Sequence, residues 1–110
     1  MPRGEYLGEL EQVVMAAVVR LDADAYGMRI RREIEERGGR SVAIGAVYAT
    51  LERLADKGYV RAVERQRAAD ADARARRFFE LTREGTDALR AAGELHARMW
   101  AGLRLRRSRR

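Results

Sequence analysis

The sequence contains no cysteine, which excludes disulfides, thiolate-bound zinc, iron–sulfur clusters and thiol catalysis. Histidine occurs once, at His96, so a histidine pair or a histidine-rich metal site is excluded as well. There is one proline among 110 residues, and with 46% apolar and 36% charged residues the composition is that of a folded chain rather than a disordered one. The longest purely apolar run, 13–19, is far short of the ~20 residues that cross a bilayer. The opening residues Met1–Glu5 lack the apolar stretch of a secretion signal, so a cytoplasmic location is expected, with no membrane partner. A glycine-rich phosphate loop and a scaffold of paired carboxylates are also missing, which leaves nothing to carry catalysis and no cofactor to expect.

What is present in excess is arginine. Of 23 basic residues only Lys57 is a lysine, and against 17 acids the net charge is +6. The surplus is localised: residues 104–110 hold five arginines and no acid. Residues 61–77 hold six arginines against Glu64, Asp70 and Asp72. Localised basic patches attract polyanions, and arginine forks phosphate oxygens and guanine edges better than lysine does. A solvated face with a basic tail is the plainer alternative for the last residues. Asp70 and Asp72, with no further ligands beside them, read as solvated turn residues.

The apolar pattern predicts mainly helices. Leu7, Leu10, Val13, Val14, Ala17, Val18 and Leu21 form one helical stripe over 5–21. Asp22-Ala23-Asp24 breaks it and offers N-caps for a second helix, whose buried positions are Tyr26, Ile30 and Ile34 and which Gly38-Gly39 close. Ser41-Val42 is a short β-prone piece. A third helix from about Ile44 to Lys57 buries Ile44, Val47, Leu51 and Leu54, and Gly58 ends it. Two β-prone segments, from Tyr59 and over 77–81, read as a hairpin with a loose polar turn. Thr82 caps a fourth helix, where Gly85, Ala92 and Met99 and then Leu89, His96 and Leu103 fit two heptad positions over less than three heptads.

This order predicts a mainly α fold with a small β-hairpin: a winged helix-turn-helix over 1–81, then a C-terminal helix with a basic tail over 82–110. In such a fold the start of the third helix enters the major groove of double-stranded DNA, and the hairpin lies along the neighbouring backbone. That wing would carry Arg65, Arg67, Arg74, Arg76 and Arg77. A winged helix that docks a protein partner and no specific DNA is the alternative, which the alanine-rich third helix allows and the basic wing disfavours.

Four stretches then resemble one family. They are Leu7-Gly8-Glu9-Leu10-Glu11-Gln12, Tyr26-Gly27-Met28-Arg29-Ile30, Gly45-Ala46-Val47-Tyr48-Ala49-Thr50-Leu51-Glu52-Arg53-Leu54 and Arg77-Phe78-Phe79-Glu80-Leu81-Thr82-Arg83-Glu84-Gly85. In this order they are similar to the PadR family of bacterial transcriptional regulators, over about residues 5–100. The resemblance implies a winged helix followed by a dimerising C-terminal helix, as in the subgroup with a minimal C-terminal part, and repression as the usual activity. Ala46 and Ala49 stand where many members carry threonine and proline. The wing tip, 67–74, lacks the glycine and proline of close relatives.

The expected DNA contacts can be weighed singly. The resemblance puts Tyr48 at the DNA surface with its hydroxyl on a phosphate; half-buried packing is the alternative. Gly45, Ala46 and Ala49 are small enough for close approach to the groove but offer no side-chain hydrogen-bond readout. Thr50 and Arg53 are the remaining candidates for base or phosphate contact, so shape and deformability of the DNA should matter. Ser41 and Lys57 flank the helix as candidate phosphate holders. Arg29 and Arg32 can reach the backbone too, but Glu33 and Glu36, four residues on, offer a plain helix-pairing role. Leu89, Ala92, Leu95, His96, Met99, Trp100 and Leu103 are the candidate homodimer seam. Some short family members bind flat aromatic compounds between paired tryptophans at the dimer centre, which makes Trp100 a candidate contact for a small aromatic effector.

Overall fold

The structure, a computed structural model, describes residues 6–65 and 76–107. Helix α1 spans Glu9–Leu21, a short 3₁₀ turn spans Asp22–Asp24, α2 spans Gly27–Gly38 and α3 spans Ile44–Asp56. Strands β1, Val60–Arg65, and β2, Arg76–Leu81, pair antiparallel in register from Val60 opposite Leu81 to Arg65 opposite Arg76. Helix α4 covers Arg83–Trp100. The chain is thus mainly helical, with the three-helix and hairpin order of a winged helix-turn-helix.

The core explains why the helices pack as they do. Val14, Met15, Ala17 and Val18 of α1, Ile30 and Ile34 of α2, and Val47, Leu51 and Leu54 of α3 are all buried together. Val60 and Phe79 close the cluster from the hairpin. Met15 is fully buried although it lies off the stripe expected for α1. It fills the wider arc that a helix needs when it is covered by α2, α3, β2 and α4 rather than along one seam.

Three local expectations are corrected. Ser41-Val42 is not a strand. Val42 is buried in the helical core, and its carbonyl accepts a 2.8 Å hydrogen bond from Arg31 Nε. The extra β contact lies instead before α2: Tyr26 bridges Phe78, and the Phe79 N–H donates to the Ala25 carbonyl at 2.8 Å. This also removes Asp22 and Asp24 as caps. The bridge needs extended backbone at Tyr26, so α2 starts only after it, with no side-chain cap. Asp22 instead ends α1 at φ 54°. The first helix is also shorter than its stripe, because Gly8 is its cap and Leu7 packs on the core from outside it.

Gly39 ends α2 at φ 66° and Gly58 ends the α3 region at φ 81°, the left-handed backbone that glycine adopts without steric cost. Among the described residues no helix is long and apolar enough to cross a membrane.

Candidate nucleic-acid interface

Helix α3 turns one face to solvent. Gly45, Tyr48, Ala49 and Glu52 follow the i, i+3, i+4, i+7 spacing of a single helical face, and all four are exposed. Ala43 precedes the helix without a side-chain cap, and its carbonyl accepts from the Ala46 and Val47 N–H groups at 3.0 and 3.2 Å, so the Ile44 and Gly45 N–H groups lack a side-chain cap. Ser41 is exposed just ahead of them, and Ala46 is half-buried on the edge of the core. Tyr48 is 45% exposed. Its ring tip rests on Gly27 at the start of α2, where a Cβ would overlap the ring. Gly27 therefore leaves room for the end of the Tyr48 ring at the α2–α3 junction.

Three residues expected at the DNA surface have partners within the chain, and one of them is buried. Thr50 is fully buried, and its hydroxyl donates to the Ala46 carbonyl at 2.7 Å. The position belongs to the inner arc of α3, three residues after Val47, so the expectation of a DNA contact there is withdrawn. Lys57 gives its ammonium to both oxygens of Glu11 at 3.0 and 2.9 Å. Arg53 spans the same two groups, with Nη2 donating to Thr50 Oγ1 at 3.2 Å and Nε 3.8 Å from Glu11. Only Arg53 of these keeps a side chain more than half exposed.

Glu11 is the centre of this network. Burial alone would raise the pKa of its carboxyl. The Gly8 N–H, which donates to Oε1 at 2.8 Å, together with Lys57 and then Arg53, outweighs that and holds the pKa below its ordinary value. The network ties the start of α1 to the end of α3 and so fixes how the exposed face of α3 is presented.

On the other side of Tyr48 lies an open cleft of about 610 Å³, lined by Tyr26, Met28, Arg32, Tyr48 and Arg77. Arg77 lies over the Phe79 ring, 5.5 Å from its centroid. Arg65 and Arg76 form the last register pair of the hairpin, while Arg67 and Arg74 lie outside the described residues. The helix-pairing reading holds for Arg29, 3.6 Å from Glu33. It does not hold for Arg32, which makes no ion pair with Glu36 among the described residues. Reasoning from sequence missed Met28 and Glu52 as parts of this surface and favoured helix pairing over a backbone contact for Arg32. Met28 and Arg32 share a helical face off the Tyr26–Ile30–Ile34 stripe, the one signal that would have found them.

The candidate seam on α4 divides in two. Gly85 is buried against the Tyr59 carbonyl, and Leu89 packs on the chain's own core, so the first heptad is used within the chain. Beyond it Leu95, Met99 and Trp100 are 50%, 66% and 65% exposed. His96 meets Trp100 edge-on at 6.0 Å between ring centroids, and Ala92 is half-buried. Leu103, also exposed, lies past the end of the helix, where Gly102 turns at φ 72°.

Comparison with known proteins gives this surface its setting. Residues 15–91, well over half of the chain, match the model of the transcriptional regulator PadR-like family. Among curated proteins none matches. Among solved structures, RosR of H. salinarum is 27% identical with a TM-score of 0.64, covering 91% of this chain and 83% of that one. A PadR-like transcriptional regulator from Bacillus cereus is 15% identical with a TM-score of 0.68, covering 84% of each chain. A transcriptional regulator from Clostridium thermocellum is 16% identical with a TM-score of 0.67, covering 84% of this chain and 86% of that one. With the family match, the exposed face of α3 and the arginine-lined hairpin in agreement, the chain belongs to the PadR-like family of DNA-binding transcriptional regulators.

Proposed function

We propose that the chain acts as a homodimer on a near-palindromic operator, with residues 1–81 reading the DNA and 82–110 joining the two copies. Each copy lays the Gly45–Tyr48–Ala49 face of α3 into the major groove, and the two faces stand about one DNA turn apart, ~34 Å. The arginines of the hairpin follow the flanking backbone. The function is repression, relieved when a small aromatic effector occupies the seam around Trp100 and changes the spacing of the two α3 helices. The observation that carries this reading is the exposed, small-residue face of α3 around Tyr48, set beside a cleft with two arginines. The apolar end of α4, left bare by the single chain, supports the dimer.

Genomic fragments selected by the purified protein, then tested singly in gel shifts, examine the reading. One or a few near-palindromic sites bound far more tightly than random duplex are expected. Equal, weak binding to every fragment would favour the protein-docking alternative.

A glycine variant separates the interface from the fold. In Gly27→Ala the new methyl displaces only the end of the Tyr48 ring, which can swing outward. The expected result is a loss of operator affinity of about tenfold, the scale of one charge-assisted contact, with a melting temperature close to that of the parent. Fluorescence anisotropy on labelled operator and a thermal melt check both halves. Unchanged affinity would remove Tyr48 from the interface.

A further inference from the structure

We propose that Arg32 of α2, Tyr48 of α3 and Arg77 of β2 form a seat for one phosphodiester of the DNA backbone. The proposal rests on the DNA reading above and adds α2 to the interface. The cleft between these three elements is lined by Tyr26, Met28, Arg32, Tyr48 and Arg77, and among the described residues no carboxylate lines it. Two arginines therefore line one open cleft, with Tyr26, Met28 and Tyr48 as its other described lining residues. Among the described residues Arg32 makes no hydrogen bond or ion pair, although Arg29 and Arg31 of the same helix each pair with the acid four residues on. Arg77 is opposite Glu64 in the hairpin register, yet no ion pair joins them among the described residues. Its guanidinium stays over the Phe79 face instead.

Two unneutralised guanidiniums in one cleft repel each other, and a bound anion converts that repulsion into attraction. A phosphodiester suits the site: it carries one charge and two free oxygens, each able to accept from an arginine fork, and a tyrosine hydroxyl can donate to it as well. The cleft is open and adjoins the exposed face of α3, so a duplex lying against that face presents its backbone there. The need for such an anchor is plain from the rest of α3. Lys57 is committed to Glu11, Arg53 leans on Glu11 and Thr50, and Glu52 is a carboxylate that repels phosphate. Cations from neighbouring elements must hold the strand.

The test uses the full chain and the duplex it selects, with Arg32→Ala, Arg77→Ala and, as a control, Arg90→Ala on α4. Affinity is measured across a salt series for the operator and for random DNA. Each cleft variant is expected to lose about tenfold on both DNAs and to reduce the slope of log K against log salt by about one phosphate contact, roughly 0.9. The control should change neither quantity. A scan of single methylphosphonate substitutions should find one phosphate whose neutralisation weakens the parent but leaves Arg32→Ala unaffected. Parent-like slopes in Arg32→Ala, with specific binding intact, would overturn the seat and leave the DNA reading standing. The same result with Arg32-dependent binding of inorganic phosphate would assign the cleft to a free anion instead. A parent that binds no DNA at all would overturn the DNA reading and the seat with it.

Discussion

Gly85→Ala is expected to cost about 2–3 kcal/mol and to lower the melting temperature by roughly 10–20 °C. A Cβ at this position would overlap the Tyr59 carbonyl oxygen, which is backbone and cannot rotate away. The same junction is held by three hydrogen bonds. The Thr82 hydroxyl donates to the Gly58 carbonyl at 2.6 Å, the Gly85 N–H donates to Thr82 Oγ1 at 3.0 Å, and the Thr82 N–H donates to the Tyr59 carbonyl at 3.0 Å. A methyl group at Gly85 must push the first turn of α4 off the Gly58–Tyr59 turn and stretch all of them. Gly58 lies two residues past the end of α3, so the same junction links the candidate seam on α4 to the helix proposed to meet DNA. A circular-dichroism melt reads the loss. A variant melting with the parent would show that α4 is not seated there.

The second large effect is at Glu11. Replacing it with glutamine leaves the Lys57 ammonium half-buried without its counter-ion and weakens the bond to Gly8, an expected cost of about 2 kcal/mol at neutral pH. The cost should depend on pH in a set direction. The carboxyl's pKa is lowered in the folded chain, so its stabilising contribution is complete above the ordinary value of 4.5 and is lost as pH falls through the lower folded value. Denaturation curves of the parent and Glu11→Gln should therefore lie well apart at pH 7 and converge as the pH falls below 4.5. A gap that stays constant over that range would mean that the charge of Glu11 does not hold α1 to α3.

These two residues show how far the sequence could be read. The stripes of α1, α2 and α3 were legible, because a helix against a core repeats its apolar residues at the helical period whatever it packs against. The hairpin was legible from its β-prone segments, and the start of α4 from Thr82. Periodicity says which face is buried, however, and not what meets it. Glu11 and Lys57 are 46 residues apart, and neither breaks its local pattern in a way that announces the other. Thr50 looks like a surface threonine until the inner arc of α3 is seen to include it. The bridge between Tyr26 and Phe78 was not legible either, because a single extended residue leaves no pattern at all. Arg32 read as half of a helix pair with Glu36, and only its freedom from that pair directs it to the cleft.

The central claim is that two copies present the Tyr48 face of α3 to successive turns of one duplex. Hydroxyl-radical footprinting of the protein on its selected operator tests it most directly. Two protected patches about one helical turn apart are predicted, both lost together in Tyr48→Ala. A single patch, or a footprint that survives that substitution, would contradict it.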